Sequence, residues 1–120
     1  MQNHTRRAIA YIAGRMISNE SSTTVFDYSC FKYFSFTGET SFDNISVFDY
    51  KNQCLIRGFG SHGALNLYHY GNKNHIFLSI EESHFNGFDY DTSCHFSGDV
   101  NERSVTIFDY EQNTRFEYSI

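Results

Sequence analysis

Apolar and polar positions alternate in a pattern that returns about every twenty residues along most of this chain. The clearest segment is Val47-Phe48-Asp49-Tyr50, and near-copies of it occupy 25–28, 67–70, 87–90 and 107–110. The first aromatic residues of these segments are 22 residues apart once and 20 residues apart thereafter: Phe26, Phe48, Tyr68, Phe88 and Phe108. A fixed period of this size indicates a repeated structural unit.

Each repeat has the pattern of a β-hairpin. The residue before the first aromatic is apolar in four of the five repeats, and a Tyr follows that aromatic by two positions in all five, which is the period of a strand. Polar segments such as Lys51-Asn52-Gln53-Cys54 and Gly71-Asn72-Lys73-Asn74 come next and predict turns. A second short apolar run then predicts the return strand.

The N-terminal segment suggests an incomplete unit. Residues 7–12, Arg-Ala-Ile-Ala-Tyr-Ile, resemble the last return strand at 115–120, as if the chain began halfway through a repeat. One strand followed by five pairs makes an odd number, which leaves one edge open, paired in parallel, or completed by a second copy of the chain. The interpretation therefore includes a homo-oligomer formed through the incomplete N-terminal repeat.

The predicted fold is all-β, a barrel-like antiparallel meander of about five 20-residue hairpin repeats plus an N-terminal half repeat. A chain of 120 residues forms one domain, 1–120, with one core. The segment 38–44 is interpreted as the longer loop between the first two full units, and the glycine-rich segment 58–63 as a flexible loop between hairpins.

Composition narrows the range of functions. The chain has 13 Phe, 9 Tyr, no Pro and a net charge of −5, so aromatic burial should dominate the core and direct nucleic-acid binding is disfavoured. No apolar run approaches the roughly 20 residues of a membrane span, and the N-terminus lacks a secretory pattern, so we expect a cytoplasmic protein. The three Cys are expected to be free thiols.

Two columns of the repeat carry the candidate chemistry. The position between the two aromatics is polar throughout: Asp27, Asp49, His69, Asp89 and Asp109. A ring of these groups would suit a hard cation or a basic group, whereas the alternative is that each side chain caps its own hairpin turn. The second column holds Tyr28, Tyr50, Tyr70, Tyr90 and Tyr110, which either line a binding surface or pack in the core.

Catalytic and metal signatures are weak. His75 and His95 share a repeat position, as do Cys54 and Cys94, but no spacing matches a known zinc pattern. Cys94 and His95 are adjacent on a strand, so their side chains point to opposite faces and cannot exchange a proton. We therefore expect no enzyme activity, no metal and no cofactor.

Hairpins built on an aromatic-Asp-aromatic strand, a polar turn and an apolar return strand resemble the bacterial beta-flower proteins, which are shallow barrels of hairpin petals similar in outline to the Tubby C-terminal domain. The resemblance covers residues 23–120 and rests on the motifs at 26–28, 48–50, 68–70, 88–90 and 108–110. It implies a fold, and for Tubby-like domains it suggests lipid headgroup binding, which the acidic balance does not favour.

The functional expectation is a non-catalytic binding module that recognises a protein or a small molecule through the aromatic column and the inter-hairpin loops. The alternative is a small acidic inhibitor that occupies a basic, nucleic-acid-binding surface of a partner protein, with carboxylates of the loops and of the first column as the contacts: Asp27, Asp49, Asp89 and Asp109. Ionic strength separates the two, because affinity that depends on opposite charges falls as salt rises.

Overall fold

The computed structural model describes residues 1–120 and contains one helix followed by ten antiparallel strands. The helix α1 spans Asn3–Ser18. The strands are β1 Thr24–Asp27, β2 Lys32–Ser41, β3 Asn44–Asp49, β4 Cys54–Ser61, β5 Ala64–His69, β6 Asn74–Glu81, β7 His84–Asp89, β8 Cys94–Asn101, β9 Ser104–Asp109 and β10 Thr114–Ser119.

The strands form a closed barrel in which each pairs with its neighbours in sequence and β1 pairs with β10. The predicted all-β meander of five hairpins is therefore confirmed. Closure depends on only two residue pairs, Phe26 with Ser119 and Asp27 with Tyr118. Because the first and last strands pair directly within one chain, there is no open edge for a second copy to complete.

Turns of two lengths lie at opposite ends of the barrel. Each hairpin turn has four residues, at 28–31, 50–53, 70–73, 90–93 and 110–113, and we call this the long-turn end. Successive hairpins are joined by two-residue turns at 42–43, 62–63, 82–83 and 102–103, the short-turn end.

The predicted loops at 38–44 and 58–63 are wrong. Strand β2 continues to Ser41 and β4 to Ser61, so only the two-residue turns lie between strands. Gly58 lies within β4. A Cβ at this position would lie 2.1 Å from the carbonyl oxygen of Asn66, so no larger residue fits there. Glycine in these strands thus reflects close backbone approach rather than flexibility.

The predicted N-terminal half repeat is also wrong, since residues 3–18 form a helix inside the barrel. The run from Ala8 to Ala13 is completely buried, which is the property of a helix surrounded by protein on all sides. Three alanines favour the helical state and keep the helix thin, and a Cβ at Gly14 would lie 2.9 Å from Val105 Cγ2. The apolar run has the length of a strand, and a buried helix gives the same signal in the sequence.

Strand residues that face inward pack against this helix. They include Val47, Ile56, Leu67 and Ile107, all fully buried. Large and small side chains compensate across strands: Gly87 pairs with Phe96, whose ring would lie 2.6 Å from a Cβ at position 87. The interior is filled to the point where one added methyl group would collide.

Candidate functional site

The tyrosine column forms a belt on the outside of the barrel at the long-turn end. Each tyrosine is the first residue of a four-residue turn, directly after the inward-facing Asp or His that ends the strand. About half of each side chain is exposed: Tyr28 48%, Tyr50 52%, Tyr70 49%, Tyr90 55% and Tyr110 56%. The alternative in which these tyrosines pack in the core is therefore wrong.

Each tyrosine of the belt is held rigidly although it is exposed. Its ring packs edge-on against the first aromatic of the same repeat, with centroids 4.7 to 5.0 Å apart and planes 67 to 79° apart. Its backbone N–H donates to a carbonyl of the preceding hairpin or, for Tyr28, of the last one, at 3.0 to 3.2 Å. The hydroxyl groups are free apart from that of Tyr110, which lies 3.4 Å from Ser97 Oγ.

The second column lies inside the barrel at the same end. Its five members are between 0 and 1% exposed. Each accepts a hydrogen bond from a backbone N–H of its own turn at 2.9 to 3.2 Å, so the turn-capping alternative is confirmed. The pairs are Asp27 with Ser29, Asp49 with Asn52, His69 with Asn72, Asp89 with Asp91, and Asp109 with Glu111.

Two of these carboxylates also pair with cations of the central helix. Arg6 Nη1 lies 2.8 Å from Asp109 Oδ2, and the same oxygen is 3.2 Å from the Met1 ammonium. Arg7 Nη1 lies 3.3 Å from Asp27 Oδ2. The ring of carboxylates therefore does hold basic groups, and they belong to this chain's own helix.

The guanidinium groups of the two arginines also stack on aromatic rings inside the barrel. Arg6 lies 3.7 Å above the centroid of Phe116, and Arg7 lies 3.7 Å above that of Phe34. Contacts of this kind strengthen when water is excluded. The arginines thus fasten the helix to the hairpins on both sides of the β1–β10 seam.

His69 replaces the carboxylate in the third repeat and fills the same role as a neutral ring. Its Nδ1 accepts the N–H of Asn72, while its buried Nε2 has no partner. Burial, together with the neighbouring His4, lowers the pKa of His69 to about 4. Asn72 in turn contacts the helix, since its side chain donates to Thr5 Oγ1 at 2.9 Å.

Asp89 has no helix cation beside it. It accepts hydrogen bonds from Asp91 N at 3.1 Å and Thr92 Oγ1 at 2.9 Å. Burial raises the pKa of Asp89, because the desolvation of its carboxylate outweighs its two hydrogen bonds and the weaker attraction of the Met1 ammonium. The helix reaches this hairpin through Gln2, whose amide donates to Asp91 Oδ2 at 2.6 Å.

The cysteines and histidines do not assemble into the zinc site considered above. All three cysteines are free, as expected, and burial raises the pKa of Cys54. The one close group of metal-ligating atoms joins Cys94, Asp109 and Glu111, with those atoms within 4.8 Å of one another. The Met1 ammonium contacts both carboxylates and neutralises part of their charge.

No family model, curated protein or solved structure matches this chain. The helix Asn3–Ser18 is too short and too polar to cross a bilayer.

Sequence reasoning missed Arg6 and Arg7 as partners of the aspartate column. The two adjoining arginines stand directly before the apolar run at 8–13, and at helical spacing they leave the helix on neighbouring faces. Buried carboxylates in four of the five repeats favour buried cations nearby, and this arginine pair was the signal that could have identified them.

Proposed function

We propose that this protein is a non-catalytic binding module whose tyrosine belt contacts another protein. The observation that carries the proposal is that all five turn tyrosines are about half exposed, each packed edge-on against a partly buried aromatic ring of its own repeat. Tyrosine offers a flat apolar face and a polar tip, and it is enriched in protein interfaces. The aspartate column is not part of the proposed contact surface, because its carboxylates are buried and already paired.

A protein partner fits this surface better than a small molecule. The tyrosines are distributed one per hairpin around a molecule of 33 × 30 × 29 Å, so a small ligand reaches one or two of them at most. The belt is convex, whereas small-molecule sites are concave. A protein surface can cover two or three adjacent tyrosines together with an exposed neighbour such as Leu55, which pairs with Phe48 near the start of β4.

The belt is also organised in advance for binding. The edge-on contact with the repeat's first aromatic and the backbone bond to the neighbouring hairpin leave each tyrosine few alternative positions. Binding therefore costs little side-chain entropy, which favours affinity. The closed hairpin barrel is compatible with the beta-flower resemblance, which supports a scaffold role without naming a partner.

The acidic inhibitor remains a second candidate, and one observation favours it. The short-turn end carries a set of exposed carboxylates that have few cations beside them: Glu39, Asp43, Glu81, Glu82, Asp99 and Glu102. These could contact a basic surface of a partner, in place of the buried aspartates. The two candidates use opposite ends of the barrel, so one experiment can separate them.

Site-specific photo-crosslinking tests the proposal. p-Benzoylphenylalanine would be introduced at position 70 or 90 in the belt and, as the matched control, at position 82 on the short-turn end, with the protein expressed in its native cells. We expect a discrete protein adduct from the belt positions only. Adducts from position 82 alone, weakened by added salt, would support the inhibitor instead.

A second measurement checks that the tyrosines supply affinity. The crosslinked partner would be purified and its Kd compared for wild type, Tyr70→Ser and Glu82→Gln. We expect Tyr70→Ser to weaken binding by roughly tenfold, the size of a typical interface anchor, and Glu82→Gln to have no effect. Unchanged affinity in every belt variant would refute the proposal.

A further inference from the structure

A cleft of about 550 Å³ lies between the first and second hairpins at the long-turn end. Its size falls within the range of small-molecule sites, roughly 300 to 1,000 Å³. Two aromatic rings that face solvent line it, those of Tyr33 and Tyr50, and Phe34 and Asn3 close it toward the helix. This is a concave site, unlike the surrounding belt.

The charge of the cleft is opposite to that of the protein. Arg7, Lys32 and Lys51 line it and Asp27 is its only carboxylate, which gives a net charge of +2 in a chain of net charge −5. The whole chain has only three lysines, at 32, 51 and 73, and two of them are here. Such a concentration of cations attracts an anion.

Arg7 provides a fixed donor at the base of the cleft. Its side chain is only 11% exposed and is held over the Phe34 ring. It donates a single hydrogen bond within the protein, to Asp27 at 3.3 Å, and its remaining N–H groups are in contact with solvent. A guanidinium held in this way is suited to bind an oxyanion with two donors.

The helix adds to this field. Asn3, the first residue of α1, lines the cleft. The first turn of the helix contains no acidic residue, and Gln2 makes no side-chain capping bond. The partial positive charge of a helix N-terminus therefore acts in the same direction as the three cations.

We propose that this cleft binds a small organic phosphate that carries a flat ring, of the size of a mononucleotide. A phosphate monoester has a charge of about −1.5 to −2 at neutral pH, which matches the net +2 of the lining. The phosphate lies against Arg7 and between the two lysines, and the ring packs on Tyr33 and Tyr50. The cleft shares Tyr50 with the belt, but its anion-binding groups, Arg7, Lys32 and Lys51, are not belt residues, so this role is additional to the protein contact.

Isothermal titration calorimetry of the full chain tests the proposal with adenosine 5′-monophosphate, adenosine and inorganic phosphate as probes. The variant is Lys32→Gln/Lys51→Gln, and the matched control is Lys73→Gln, an exposed lysine in the third long turn. All three lysines are exposed, so both variants should keep the wild-type thermal midpoint. No belt tyrosine is changed, so failure here leaves the proposed protein contact intact.

We expect the monophosphate to bind one to one at low salt, more tightly than inorganic phosphate, with no binding of adenosine. The double variant should weaken that affinity by about tenfold or more, because two of three attractive charges are lost, while Lys73→Gln should not change it. Added salt should reduce the wild-type affinity.

No binding at millimolar monophosphate, or equal losses in the double variant and the control, would overturn the proposal. Equal binding of adenosine would refute the anion site, and equal binding of inorganic phosphate would refute the ring contact.

Discussion

The two ends of this barrel solve the same problem, turning the chain back, with different chemistry. At the long-turn end, five four-residue turns are each capped from inside by a buried acid or imidazole, and the helix supplies arginines to two of the acids, Asp27 and Asp109. At the short-turn end, two-residue turns need no buried cap, and the carboxylates lie in solvent. Buried acids are concentrated at the end where hydrogen bonds from the turns, and at two positions arginines of the helix, offset the desolvation of the carboxylates.

The β1–β10 seam shows the same contrast within a single pair of strands. At the long-turn end the seam is held from inside by Arg7 with Asp27 and by Arg6 with Asp109. At the other end Arg103 crosses the seam on the surface, bonding to Ile120 O, Ser21 O and Glu20. We therefore expect charge substitutions to be costly at one end and nearly neutral at the other.

The largest effect should come from Asp109→Asn, which leaves Arg6 and the Met1 ammonium without a charged partner in the interior. Removing one member of a buried pair costs about 3 to 5 kcal/mol of unfolding free energy. Urea denaturation followed by circular dichroism measures it. Glu82→Gln, at the exposed end, is the matched control and should change stability by less than about 0.5 kcal/mol. Equal effects would remove the distinction between the ends.

Much of this architecture could be predicted from the sequence, because the repeat period and its two-residue alternation depend on local geometry. The position of the hairpins, the turns after Asp49 or Asp89, and the capping role of those side chains followed from that period. The helix could not be found in the same way. Its apolar run is buried on all sides, so it lacks the polar face that distinguishes helix from strand.

Nor could the exposure of the tyrosines be predicted. Both faces of each strand carry apolar or aromatic residues, so the alternation of Val47, Phe48 and Asp49 does not say which face is the interior. The helix determines which face is inside. It fills the barrel and packs against the aliphatic face of the strands, which leaves the aromatic face outside. A residue type that is usually buried therefore becomes the candidate binding surface.

The second-largest effect on stability is expected at His69, the only imidazole in the column. The folded pKa of His69 is about 4, below the ordinary 6.5. As pH falls, His69 therefore takes up a proton in the unfolded chain before it does so in the folded protein. The contribution of neutral His69 to the free energy of unfolding is complete above pH 6.5 and is lost as pH falls toward 4. Over this pH range the loss in unfolding free energy amounts to about 3 kcal/mol. We expect His69→Asn, which keeps an acceptor for Asn72 N, to lose stability less steeply between pH 6.5 and 4.

Other groups titrate nearby, so the comparison is between variant and wild type rather than against a flat line. The pKa of Asp89 is raised in the folded state, and its stabilising contribution therefore runs in the opposite direction, present at low pH and lost as pH rises. His4, Asp49 and Asp91 also face His69. His62→Gln, which changes an exposed histidine in a two-residue turn, is the control. Identical pH slopes in wild type and His69→Asn would contradict the prediction.

A smaller effect is expected for Tyr50→Ala on the belt. The side chain is half exposed and loses mainly its edge-on contact with Phe48, worth about 0.5 to 1.5 kcal/mol. Had this ring been in the core, the loss would be about 3 to 5 kcal/mol. Tyr11→Ala, which empties a fully buried helix position, supplies that larger value as the comparison. Similar losses in both variants would mean that the belt is structural.

The smallest effect should be that of Glu20→Gln at the exposed end of the seam. Glu20 Oε2 lies 3.0 Å from Arg103 Nη1, and both side chains are about half exposed, so solvent screens the pair. Such pairs contribute about 0 to 1 kcal/mol, and Arg103 keeps its two carbonyl contacts across the seam after the substitution. Asp27→Asn is its counterpart at the long-turn end and should cost several times more, because Arg7 would lose its only anionic partner inside the barrel. If both variants unfold at the same urea concentration, closure depends on the strand pairing alone and not on the charges at either end.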